Sequence, residues 1–226
     1  MQLNLIPLLS GAAKSLAARL SFLHGRGESA HLSKARARFE VQWTAELLKQ
    51  LEWRRFEELC VAYYEALGFT THITKAGAEG GVDILLQAQG AERASLIARC
   101  KAWDAHRVGI KPVQELRSAM ASARLGQGVL LTSGRFTQAA FDLAAKEHIE
   151  LIDGLFLLKK LAALPPEKAL ALLRFATQGD FLTPTCPRCS IKMVSRQSTQ
   201  GGKRFWGCRN YPQCKETFSG SPFAPA

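Results

Sequence analysis

Glu79-Gly80-Gly81-Val82-Asp83-Ile84-Leu85 places an acid at the head of an apolar run, directly behind a glycine turn. Val82 to Ala88 has the composition of a strand bounded by turn residues. Across the turn at Gly90, Ser95 to Cys100 reads as another strand, closing on Arg99-Cys100-Lys101. If these strands are neighbours, Asp83 and Lys101 can meet. A carboxylate that holds a divalent ion beside a lysine that steadies the attacking water is the chemistry of metal-assisted phosphodiester hydrolysis.

The elements on either side give the fold class. Phe56, Leu59, Cys60, Tyr63 and Leu67 recur with the period of a helix that buries one face, and Gly68 stops it. Thr70 to Thr74 is a strand ahead of the glycine turn. Downstream, Val113 to Arg124 and Thr137 to Glu147 read as helices, Val129 to Leu131 and Ile149 to Ile152 as short buried strands, and Leu155 to Leu164 as a further helix. Strand, helix, strand alternation implies parallel pairing on one side of the sheet. The expected architecture is a mixed α/β sandwich over residues 40–164. Pro165-Pro166 opens a helical linker, 165–183, since proline is tolerated in a first helical turn.

Thirty Lys and Arg against nineteen Asp and Glu give a formal charge of +11, which favours a polyanionic partner. No run of about eighteen apolar residues is present, so stable membrane insertion is not expected. Residues 1–39 read as an amphipathic helix or disordered leader followed by a solvated linker. A membrane-surface or scaffold role would draw on residues 1–24 alone. Gly11 to Ser15 lacks the second glycine and preceding strand of a phosphate loop, and ATP binding is rejected.

Residues 184–220 carry Cys186, Cys189, Cys208 and Cys214, spaced as Cys-Pro-Arg-Cys, eighteen residues, then Cys, five residues, Cys. Four thiolates on tight turns suit one structural zinc ion. Disulfides are the alternative, but the chain lacks an evident secretory signal, and a reducing, cytoplasmic compartment is expected. Cys60 and Cys100 read as small buried thiols. Around the zinc cysteines stand Phe205, Trp206, Tyr211 and Phe218 among seven Lys and Arg, with Glu216 the one acid. Stacking aromatics and cations that follow phosphates suit nucleic acid, with Arg204, Trp206, Arg209 and Tyr211 as the contacts; about half of the aromatics are expected to form a mini-core instead. Residues 221–226 are a tail.

The residues CPRC followed by FWGCRNYPQC resemble the zinc ribbon of bacterial type IA DNA topoisomerases, which implies DNA binding. Over Leu51 to Leu164, Phe56-Glu57, Gly-Gly-Val-Asp-Ile, Cys100-Lys101 with Trp103, Val129-Leu-Leu-Thr-Ser-Gly with Phe136-Thr137, and Ile149 to Gly154 come in the order of the Mrr-type (type IV) restriction endonucleases, which they resemble. That resemblance implies the PD-(D/E)XK nuclease fold, a mixed sheet flanked by helices, and a DNA endonuclease of restriction or repair type. It implies Asp83 as a magnesium ligand, Lys101 as the residue that positions or activates water, and Glu57 as an auxiliary acid.

One position departs from the family, which has Gln or Glu two residues before the lysine where this chain has Arg99. Arginine stays charged and cannot coordinate a cation. Three readings stand: Arg99 is a phosphate clamp in an active site; Glu115 migrates into the vacant ligand position; or catalysis is lost and the domain only binds DNA. Double-strand cleavage with one active site per chain would call for a homodimer, although no dimer surface is legible. The partner is expected to be single- or double-stranded DNA in the nucleoid.

Overall fold

The computed structural model describes residues 42–74, 82–102, 107–198 and 202–218. The readings made for residues 1–39, the glycine turn at Glu79 to Gly81, Trp103 and the tail at 221–226 lie outside them. Helix α1 (Ala45–Gln50), not expected from the sequence, starts at Thr44, whose Oγ1 accepts from Leu47 N at 3.0 Å. Helix α2 (Trp53–Ala66) buries Phe56, Leu59, Cys60 and Tyr63 as its periodicity requires, together with Glu57 and Tyr64. Gly68, at φ +92°, turns the chain away in a conformation that side chains disfavour.

Five strands form one sheet in sequence order: β1 (Thr70–Thr74), β2 (Val82–Gln87), β3 (Leu96–Lys101), β4 (Gly128–Thr132) and β5 (Ile149–Ile152). The β1–β2 and β2–β3 pairs are antiparallel; β3–β4 and β4–β5 are parallel. Helix α3 (Ile110–Ala123) makes the crossover into β4, and α4 (Gln138–Lys146), capped by Thr137, the crossover into β5. Helices α5 (Gly154–Ala162) and α6 (Pro166–Ala176) follow.

Strand alternation sends side chains into two cores. Ile84, Leu86, Ala98, Cys100, Val129, Leu131 and Ile152 pack with α2, α5 and α6 on one face. Ile97, Leu130 and Ile149 pack with α3 and α4 on the other. Every residue of β4 is buried, as a parallel strand covered on both faces should be. The mixed α/β sandwich expected from the sequence is the fold observed.

Helix α6 corrects the expectation of a helical linker. It begins at Pro166 as expected, but Leu172 and Ala176 join the α2 core cluster, and Lys168 Nζ donates to Ala66 O at 2.6 Å. An apolar face of that kind cannot remain exposed in a spacer.

The chain then continues as a three-stranded antiparallel sheet, β6 (Val194–Gln197), β7 (Arg204–Gly207) and β8 (Thr217–Phe218). Its root is held by Glu52, a carboxylate only 7% exposed. Oε1 accepts from Thr185 Oγ1 at 2.9 Å and Lys192 Nζ at 3.1 Å, and Oε2 from Thr185 N at 3.2 Å and Arg54 N at 3.1 Å. Trp53 Nε1 donates to Thr185 O at 2.7 Å, and Glu52 N to Phe181 O at 2.9 Å. A buried charge satisfied this fully is a fixed joint, because breaking any of its bonds leaves a desolvated charge behind.

At the start of α5, Asp153 Oδ1 accepts from Phe156 N at 2.8 Å, and Gly154 N donates to Gly134 O at 3.1 Å. A Cβ at Gly154 would strike the Ser133 carbonyl. Gly154→Ala should therefore lower stability by about 1–3 kcal/mol through a backbone clash, read as a shifted denaturant midpoint with an unchanged slope.

Candidate active site and zinc ribbon

Register places Asp83 of β2 directly opposite Arg99 of β3. Both alternate away from the face that carries Ile84, Ala98 and Cys100, and so project toward α3; Lys101, two residues beyond Arg99, shares that face. Arg99 grips Asp83 with two parallel bonds, Nε to Oδ1 at 2.6 Å and Nη2 to Oδ2 at 2.7 Å. Its remaining nitrogen, Nη1, donates to Glu115 Oε2 on α3 at 3.3 Å. Lys111 Nζ stands 3.8 Å from Glu115 Oε1. The pairing with Asp83 raises the Arg99 pKa further above its ordinary value, so this cation is permanent.

Two carboxylates on neighbouring elements are the right donor type for a hard divalent cation. As paired, they do not fit one: all four of their oxygens face a protein cation. Glu115, raised from the sequence as a migrant acid, does reach the cluster. The bond that brings it there is to Arg99.

Glu57 is carried by a different element. It is 5% exposed on α2, whose core residues pack with Ile84 and Cys100 on the opposite sheet face from Asp83 and Lys101. Burial, reinforced by the nearby Glu52 charge, pushes its pKa up to about 8. The Asp83-Arg99-Glu115 cluster thus reaches α3, whereas Glu57 is carried by α2. Cys100 and Cys60 are buried in the α2 core, and burial drives the Cys100 thiol well up, consistent with unreactive core thiols. Thr132 and Ser133, which close the Val129-Leu-Leu-Thr-Ser-Gly run, are buried, and Thr132 Oγ1 accepts from Gly134 N.

In the ribbon, Cys186, Cys189, Cys208 and Cys214 bring their Sγ atoms within 4.8 Å of one another, with Cys186 and Cys214 at 3.7 Å. A zinc tetrahedron with bonds of about 2.3 Å has sulfur edges of about 3.8 Å, so the four thiols fit the ion. The first turn closes through Ser190 N to Cys186 O at 2.8 Å, with Ser190 at φ +56°; the second through Cys214 N to Asn210 O at 3.0 Å. Asn210 N also donates to Cys208 Sγ at 3.4 Å.

Trp206, expected to contact DNA, is 8% exposed and packs with Met193 against the cysteines. Its ring belongs to the mini-core and presents no face for stacking. Tyr211 is 59% exposed, and Arg204 and Arg209 are also exposed. Sequence reasoning gave no special role to Arg196. Its guanidinium lies 5.3 Å from the Tyr211 ring centroid, and Nη2 donates to Cys208 O at 3.4 Å. Its side chain crosses Gly207 so closely that a Cβ there would fall 2.7 Å from Cδ. The signal was Gly207 itself, a glycine inside a strand, which marks a close approach.

A restriction endonuclease family model matches residues 48–161, and the chain belongs to that family. The family is the Mrr catalytic domain, as the motif order implied. A second model, the topoisomerase DNA-binding C4 zinc finger, matches residues 183–221. Protein y4cE of Sinorhizobium fredii is 28% identical over 113 residues, covering 49% of this chain and 29% of that protein. DNA topoisomerase 1 of Archaeoglobus fulgidus is 43% identical over 61 residues, covering 27% and 9%. The chain thus spans less than a third of either relative. Among solved structures, the DNA modification-dependent restriction endonuclease AspBHI aligns with TM-score 0.41 at 16% identity, covering 69% of this chain and 43% of that one. The MspJI restriction endonuclease, in complex with a 27-mer oligonucleotide, aligns with TM-score 0.38 at 13% identity, covering 74% and 42%. No helix among the described residues is long and apolar enough to cross a membrane.

Two measurements test these assignments. Removing zinc with a chelator should release one equivalent of metal and unfold the ribbon while the α/β core keeps its secondary structure by circular dichroism; DNA binding should weaken. For Glu57, the folded pKa of about 8 lies above the ordinary 4.5, so the folded state holds the extra proton between these values and loses stability as pH rises through them. Glu57→Gln should leave stability unchanged below about pH 4.5 and raise it by on the order of 1–3 kcal/mol at pH 8 and above.

Proposed function

We propose that this protein is a DNA endonuclease of the restriction class, with its hydrolytic centre on the α3 face of the sheet and its zinc ribbon holding the substrate. The observation that carries this reading is Asp83 at the head of β2, on the same face as Lys101 at the end of β3, in a domain of the restriction endonuclease family. Lys101 steadies the attacking water and the non-bridging phosphate oxygens; Asp83 supplies the carboxylate at the scissile bond. Magnesium is the ion the family implies, and both of these tasks fall to the chain's own groups. The net charge of +11 draws DNA to the protein, and Tyr211, Arg204 and Arg209 offer a stacking face and phosphate contacts on the ribbon. Residues 40–164 form the nuclease domain in this reading and 184–220 the ribbon. The substrate sets the location, the cytoplasm at the nucleoid, and two copies of the chain would cut both strands.

The Arg99 grip on Asp83 favours a second reading, a DNA-binding protein on a nuclease scaffold without cleavage. Incubation with supercoiled plasmid and Mg²⁺ or Mn²⁺ separates the two. The nuclease reading expects nicked or linear product, reduced about a hundredfold or more by Asp83→Ala and by Lys101→Ala. Cleavage that persists in both variants overturns the site. A silent wild type that still binds DNA in a salt-sensitive way establishes the binding-only reading.

A further inference from the structure

The Asp83-Arg99-Glu115 cluster has the form of a metal site with the metal replaced by a side chain. A divalent cation held by Asp83 and Glu115 would sit between a strand carboxylate and a helix carboxylate, drawing one or more oxygens from each. The Arg99 guanidinium sits there instead. It takes both Asp83 oxygens at 2.6 and 2.7 Å and reaches Glu115 at 3.3 Å, while the other Glu115 oxygen faces Lys111. The side chains of Asp83 and Arg99 are only 18% and 16% exposed, so the pair is largely shielded from water and salt. A cation entering this site must first displace a permanent charge held bidentately.

We infer that Arg99 is an internal surrogate for the divalent cation, closing the site in the DNA-free protein, and that its removal uncovers a two-carboxylate site for Mg²⁺ or Mn²⁺ formed by Asp83 and Glu115. The register fixes this arrangement, because it makes Arg99 the direct cross-strand neighbour of Asp83. Arg99 is thus a positioning and gating residue for Asp83. A DNA phosphate, which accepts a guanidinium in the same two-pronged way as a carboxylate, is the ligand chemistry able to draw it off. The inference rests on the nuclease reading only for the part Asp83 plays with DNA; metal binding is measured without DNA, so either can fail alone.

The test is Mn²⁺ binding by calorimetry, with thermal stability as a second readout, on the zinc-loaded full chain. Wild type should show no Mn²⁺ site and no Tm response to Mg²⁺ or Mn²⁺. Arg99→Gln should bind Mn²⁺ at least about tenfold more tightly and, having lost the charge between two acids, should melt lower in metal-free buffer and recover with Mn²⁺. Adding Asp83→Asn or Glu115→Gln to Arg99→Gln should abolish both effects. Arg99→Lys, which keeps the charge, should gain no metal site. If Arg99→Gln fails to fold without metal, its expression and purification in excess Mn²⁺ gives the same readout by titrating the ion away. Equal Mn²⁺ binding by wild type and Arg99→Gln overturns the proposal, as does binding by Arg99→Gln that survives loss of both acids.

Discussion

Everything in the nuclease domain hangs on the double pairing of β3. It is antiparallel to β2 and parallel to β4, so it is the strand at which the sheet changes character. Its alternate residues serve opposite layers: Leu96, Ala98 and Cys100 enter the α2 core, while Ile97 and Arg99 face α3. A slip of one residue would exchange these sets, driving Arg99 in among the aliphatic groups of the α2 core and moving Ala98 and Cys100 to the α3 face. The hydrophobic demand of two cores therefore sets the electrostatics of the site. Arg99 meets Asp83 because the apolar residues beside it have no other register.

The elements around that strand were legible because each has a local signal. The β2 and β3 runs, the periodic α2 face and the strand-helix-strand alternation after Pro112 depend on neighbours close in the chain, and their boundaries agree with the structure to within a few residues. Helix α1 escaped because six residues are too few to establish a period, although Thr44 is a recognisable cap. Helix α6 was recognised as a helix and misjudged as a spacer, since an amphipathic stripe does not say what covers it.

The site was legible in its parts and not in its connections. Asp83, Lys101 and the odd Arg99 could be picked out by position. The bridge from Arg99 to Glu115 could not, because it depends on how α3 lies across the sheet. Glu57 sits on α2, a helix that a linear reading can place over either face; the core residues of that helix pack on the face opposite Asp83 and Lys101. In the ribbon, Trp206 and Tyr211 look alike in composition, yet one is core and the other is surface. A domain this small must spend some of its aromatics on its own interior, and the alternation of β7 decides which.

The joint at Glu52 gives these two parts a common frame. A ribbon attached only through Gly179 to Pro184 would swing, and would sample DNA as a tethered hook. Bound through Thr185, Lys192 and Trp53 to the start of α2, it instead stands at a set distance and angle from the strands that carry Asp83 and Lys101. Under the proposed function the molecule would then act as a ruler: the protein would set the length of backbone between ribbon and sheet, and DNA unable to span it in its relaxed form would have to bend.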